Sequence, residues 1–114
     1  MTVKDIVEKL DLTVCSGGDR LTATVTGGYN GDLLSDVIAN AKAGSVWITM
    51  QVHVNIVAVA VLKELAAIIL VNGRTPAADT LQKATEERVA ILTCTGSAFE
   101  TAGRLYALGI GSGR

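Results

Sequence analysis

The chain has little proline, histidine or cysteine: one Pro, one His and two Cys among 114 residues. Cys15 and Cys94 stand far apart and in no C-x-x-C pair, so neither a disulfide framework nor a zinc site follows from them. Two reduced, half-buried thiols in a cytoplasmic protein are the expectation. Aromatic side chains make up only 4%, too few for a base-stacking platform. Ten Lys+Arg against eleven Asp+Glu leave a formal charge of -1, so no basic field exists to hold nucleic acid. No apolar run reaches membrane-spanning length, because Lys63-Glu64 separates Val54–Leu62 from Ala66–Val71. Met1-Thr2-Val3-Lys4-Asp5-Ile6 mixes charge with apolar residues at helical spacing, which is not a signal peptide pattern.

What is present is apolar surface. Hydrophobic residues reach 49% and charged residues 18%, a composition that excludes intrinsic disorder. A chain of this length suits one domain and buries roughly 65% of its unfolded surface without metal or disulfide. Residues 1–108 are expected to form that domain, and 109–114, small and polar, a flexible tail.

Periodicity orders the elements. Thr2 can cap a helix to Leu10, with Ile6, Val7 and Leu10 on one face. Leu12-Thr13-Val14-Cys15 is a short β-type run stopped by Ser16-Gly17-Gly18. Leu21–Thr26 alternates apolar and hydroxyl residues and is the candidate antiparallel edge strand, ended by Gly27-Gly28. Leu33, Leu34, Val37, Ile38 and Ala41 recur at helical intervals. Val46–Met50, Ala66–Val71 and Val89–Leu92 read as buried strands. Asn55–Leu62 is β-branched, yet a strand there would follow its neighbour after too short a link for a parallel crossover, so helix is the reading. Thr75-Pro76 is the expected cap and first turn of a helix to Glu87, and Ser97-Ala98-Phe99-Glu100 fits a capping box. The fold class is α/β: a mostly parallel central sheet flanked by helices, with right-handed crossovers.

Ligands of open parallel sheets gather beyond the carboxyl ends of the strands. Polar residues concentrate where those ends are expected. Ser16, Asp19 and Arg20 follow the first strand, and Gln51, His53 and Asn55 follow the Trp47 strand. Asn72 and Arg74 follow the Ile68 strand, and Thr93, Thr95 and Ser97 belong to the end of the Ile91 strand. Loops are also polar simply because water is there. Two glycine-bearing loops precede helices and suit an anion: Thr26–Gly31 and Thr95-Gly96-Ser97. Neither is a P-loop or a G-x-G-x-x-G, and Asp32, as a cap, would compete with a phosphate. His53 lacks an evident orienting partner, and a lone histidine is more often structural than catalytic. Four residues separate Cys15 from Arg20, one too few for a phosphatase loop.

Several blocks carry a family resemblance. They are Gly18-Asp19-Arg20, Val25-Thr26-Gly27-Gly28, Asp32–Val37 with Ala39-Asn40-Ala41, Trp47-Ile48-Thr49, His53–Ala60, and Ser97–Glu100 with Gly103–Tyr106. Over nearly its whole length the sequence resembles a DRTGG domain. Such domains are similar to the amino-terminal domain of the HPr serine kinase and accompany CBS domains and phosphotransacetylases. The resemblance implies a regulatory or ligand-sensing role. It does not imply kinase activity, since the P-loop half of that kinase has no counterpart here. By motif position it marks Asp19, Arg20, Thr26, Gly27 and Gly28, and more weakly Asp32, Asp36, Asn40, His53 and Asn55.

Two functions compete. One is a non-catalytic module that binds a small anionic metabolite or nucleotide through Asp19, Arg20, Thr26, Gly27, Gly28, His53 and Asn55. The other is a homodimerisation or partner-docking module built on the apolar Val54–Val61 segment, without a small-molecule ligand. An enzyme would need a nucleophile-base pair or a metal cluster, and neither is legible in the sequence, so no catalytic residue, metal site or cofactor is assigned.

Overall fold

A computed structural model describes residues 1–111. Five helices and five strands alternate through most of the chain: α1 (Val3–Leu10), β1 (Thr13–Ser16), β2 (Gly27–Asn30), α2 (Leu34–Asn40), β3 (Ser45–Thr49), α3 (Asn55–Lys63), β4 (Ala67–Leu70), α4 (Ala78–Glu87), β5 (Ile91–Thr93) and α5 (Ala98–Ala107). The sheet order is β1-β5-β4-β3-β2. Strands β2 to β5 are parallel, and β1 alone runs antiparallel, against β5. The α/β class and the mostly parallel sheet expected from the sequence are what the chain adopts.

Helices cover both faces of the sheet, as parallel strands require. One core holds Ile6 of α1 and Leu105 of α5 against Val46, Ile48, Ile69 and Leu92. The other holds Val37 of α2, Val57 of α3 and Ala84 of α4 against Trp47, Ile68 and Ile91. Alternate residues of each strand therefore face opposite cores, and the apolar runs of β3 and β4 are buried throughout. Trp47 is fully buried, and its Nε1 donates to the Gly31 carbonyl at 2.8 Å.

The expected first helix forms with its cap. The Thr2 amide donates to Asp5 Oδ2 at 2.9 Å, and the Asp5 amide donates to Thr2 Oγ1 at 3.2 Å, a complete capping box. The expected helix over Asn55–Leu62 also forms, although its composition is β-branched. The capping residue of α5 is Ser97, whose hydroxyl accepts from the Glu100 amide at 3.1 Å.

Three sequence expectations are corrected. Leu21–Thr26 is not a strand. It crosses below α1, held by Val3 N to Ala23 O at 3.0 Å, Lys4 N to Leu21 O at 2.9 Å and Val25 N to Met1 O at 2.7 Å. Its alternation arises because Leu21, Ala23 and Val25 pack on the α1 core, and only an isolated bridge joins Thr24 to Thr2. The antiparallel edge is β1 instead, while Gly27-Gly28, expected to end a strand, begins the parallel edge strand β2. Thr75-Pro76 does not open α4. That helix starts at Ala78, because the Ala77 amide is held by the Val52 carbonyl at 3.2 Å before the first turn.

Ile110 and Gly111, near the start of the expected tail, contact the body, while Gly109 is exposed. Ile110 is buried, and the Gly28 amide donates to the Gly111 carbonyl at 2.6 Å. The rest of the expected tail, 112–114, lies outside the described residues.

Candidate functional site

The direction of β1 decides where the expected site residues fall. Thr13 pairs with Thr93, and Ser16 with Ile91, so β1 ends beside the amino-terminal end of β5. Asp19 and Arg20 therefore lie at the amino-terminal rim of the parallel strands. Asp19 faces Arg88 across an exposed 3.5 Å ion pair, and Arg20 lines a shallow hollow with Glu64, Glu87 and Arg88. Ser16 is engaged in the fold. At the β-bulge after Val14 its hydroxyl donates to the Val89 carbonyl at 2.8 Å and accepts from the Ile91 amide at 3.1 Å.

Thr26, Gly27 and Gly28 sit on the same rim but at the other edge, where β2 starts. Their donors are engaged. Thr26 Oγ1 donates to the Ala43 carbonyl at 3.1 Å, the Thr26 amide to the Gly44 carbonyl at 3.0 Å, and the Gly28 amide to Gly111. This segment also enters a strand and not a helix, so it offers an anion no helix N-terminus.

His53, between β3 and α3, and Asn55, the first residue of α3, lie at the opposite, carboxyl-terminal rim, and both are exposed. The structure thus does not bring Arg20, Thr26 and His53 together. Asp32 is on this rim too. It does not cap α2. Its Oδ1 accepts from Thr49 Oγ1 and from the Met50 amide, each at 2.8 Å, tying the end of β2 to the end of β3. Asp36 accepts from the Tyr29 hydroxyl and, at 2.9 Å, from Asn40 Nδ2. That contact with a carboxylate holds the Tyr29 phenol above its ordinary value of 10.0.

A different part of the carboxyl rim forms the crevice. The chain leaving β4 leads to α4, which packs on the Trp47 core with α2 and α3. The chain leaving β5 leads to α5, which packs on the other face with α1. Adjacent parallel strands whose exits diverge to opposite faces leave a crevice between them, the usual ligand position in open α/β sheets. A cleft of about 340 Å³ lies there, lined by Asp11, Thr13, Arg74, Thr75, Thr93 and Thr95. Its floor is braced: the Asn72 amide donates to the Gly96 carbonyl at 2.8 Å, and the Gly73 amide to the Cys94 carbonyl at 2.9 Å. Asn72 and Gly73 both take left-handed conformations (φ 60 and 69), which asparagine and glycine adopt most readily.

A second cleft of about 240 Å³ adjoins the first on the α5 side. The two share Asp11, Cys94 and Thr95, and the second adds Glu100, Thr101 and Arg104. Arg104 is placed by a 3.2 Å bond from Nη2 to the Lys9 carbonyl, and Cys94 Sγ lies 3.6 Å from Thr101 Oγ1. Guanidinium and hydroxyl groups around a braced concavity can hold a small polar anion. The groove between β2 and α5, of about 250 Å³, is lined by Tyr29, Ile48, Leu105, Tyr106 and Ile110 and by no charged side chain, which does not suit an anion. Sequence reasoning had placed Arg74, Thr93 and Thr95 after their strands. It missed Asp11 and Thr13, which precede β1, because only the antiparallel direction of that strand brings its start to this rim.

The sequence matches no family model and no curated protein. Its fold is that of a three-layer α/β domain. That fold is similar to a solved structure of the CBS and DRTGG domains of the regulatory region of Clostridium perfringens pyrophosphatase, complexed with its activator, diadenosine tetraphosphate. The TM-score is 0.73 at 13% identity, over 91% of this chain and 45% of that one. This chain thus spans under half the length of that neighbour. No helix among the described residues is long and apolar enough to cross a membrane.

Proposed function

We propose that the chain is a non-catalytic, DRTGG-like regulatory module that senses a small anionic metabolite, a nucleotide foremost, in the crevice between the exits of β4 and β5. The carrying observation is the divergence of those exits around Arg74 and the hydroxyls of Thr13, Thr75, Thr93 and Thr95. The guanidinium supplies a forked donor for a phosphate, and the threonines supply further donors around it. Two things support the reading: the Gly18-Asp19-Arg20 and Thr26-Gly27-Gly28 blocks of the sequence, and a fold shared with a regulatory region that takes a nucleotide activator. Catalysis is not part of the proposal. The cleft lining holds threonines, one arginine and one carboxylate, with no histidine beside its cysteine.

Calorimetry with AMP, ADP, ATP, diadenosine tetraphosphate and inorganic phosphate tests this reading. The expected result is binding of at least one of them, weakened tenfold or more by Arg74→Ala, on the order of a lost charge-assisted hydrogen bond. Loss on Arg20→Ala with none on Arg74→Ala would move the site to the amino-terminal rim.

A second reading is self-association through α3. Val54, Val61 and Leu62 are 39%, 45% and 65% exposed along one helix, and Ala58 is exposed beside them. A stripe of this kind marks a contact surface. Sedimentation should then give a dimer that Leu62→Glu dissociates. A monomer at high concentration removes this reading and leaves the first intact.

A further inference from the structure

Asp11 stands where the two clefts meet, and it lines both. Its backbone is fixed. It ends α1 in the left-handed conformation (φ 55, ψ 52), with its amide on the Val7 carbonyl and the Leu12 amide on the same oxygen at 3.0 Å. Its side chain is exposed and makes no ion pair or hydrogen bond among the described residues. A carboxylate on the wall of the same cleft as Arg74 would repel a bare anion. It favours a ligand that also presents hydrogen-bond donors beside its negative charge.

We infer that the ligand is a ribonucleotide and that Asp11 selects it by accepting hydrogen bonds from the ribose hydroxyls; this rests on the crevice being the binding site. Arg74 takes the phosphate in the first cleft, and Asp11 takes the sugar at the junction. The base enters the second cleft, whose wall is mainly polar, with Thr95, Thr101 and Arg104 beside the nearly buried Leu10 and Leu12. One cleft of about 340 Å³ lies at the small end of ligand sites, and the adjoining one of about 240 Å³ supplies the remaining room. A carboxylate accepting from ribose hydroxyls beside a phosphate site is a recurrent solution in nucleotide-binding α/β folds. Inorganic phosphate would use only Arg74, and ribose 5-phosphate would leave the second cleft empty.

The test compares ATP, ADP and AMP with their 2′-deoxy counterparts and with ribose 5-phosphate, by calorimetry on the whole chain. Wild type should prefer the best ribonucleotide over its deoxy form by roughly tenfold, the scale of one hydrogen bond to a charged group. Asp11→Gly should reduce that preference to about one. Both glycine and asparagine accept the left-handed backbone, so Asp11→Asn provides a second variant that keeps the fold. Equal affinity of wild type for ribo and deoxy forms would overturn the inference, as would ribose 5-phosphate binding as tightly as the nucleotide. If Arg74→Ala still weakens binding in that case, the crevice stands and only the sugar-reading role of Asp11 falls. If no nucleotide binds, both fall.

Discussion

Thr13 stands directly opposite Thr93 in an antiparallel pair, although every other neighbouring pair in the sheet is parallel. That single reversal brings the start of β1, with Asp11 just before it, to the carboxyl ends of the parallel strands. It sends the end of β1, with Asp19 and Arg20 just after it, to the far rim. Arg20 and Arg74 thereby stand at opposite rims of the sheet, each lining its own hollow.

The bulge that follows Val14 depends on Ser16. Its buried hydroxyl bridges the Val89 carbonyl and the Ile91 amide. Ser16→Ala leaves two buried backbone groups unmatched, at a cost of about 1–3 kcal/mol. Urea denaturation should show a lower midpoint with an unchanged slope. A wild-type midpoint would mean the hydroxyl is dispensable.

Some of this was legible in the sequence and some was not, for physical reasons. The Thr2 cap of α1 and the apolar runs of β3 and β4 are local signals, and they appear as expected. The strand Gly27–Asn30 is not legible, because Gly-Gly has no side chains to show a period, and an edge strand needs only its backbone. Leu21–Thr26 misleads in the opposite sense: it alternates because one side lies on α1, not because it joins a ladder. The crevice depends on which face each following helix covers. Arg74 and Thr95 carry no trace of that, since α4 and α5 are both amphipathic and either could pack on either face.

Asp5 ties α1 to acid stability. The Thr2 backbone amide, and then the Thr2 side chain, hold its carboxyl below the ordinary 3.8. A carboxyl depressed in the folded state contributes stability that is present above the unfolded value and lost as pH falls through the folded one. Thermal melts should therefore show a loss on acidification below about pH 4 that Asp5→Asn flattens. Thr2→Ala should cost roughly 1 kcal/mol at neutral pH. An unchanged acid limb in Asp5→Asn would assign the effect to other carboxylates.

Tyr29 works in the opposite range. Its hydrogen bond to Asp36 raises the phenol above 10.0, so its contribution is complete below the unfolded value and disappears as pH rises through the folded one. An ultraviolet absorbance titration should resolve a late-titrating tyrosine that Tyr29→Phe removes and Asp36→Asn shifts to lower pH. A profile unaffected by Asp36→Asn would contradict the contact.

The crevice itself is most directly tested by amide chemical-shift mapping of the labelled protein with ATP. Shifts confined to Asp11, Thr13, Gly73, Arg74 and Thr93–Gly96 are the predicted result. Shifts centred on Gly18–Arg20 and Thr26–Gly28, or on no contiguous surface at all, would contradict it.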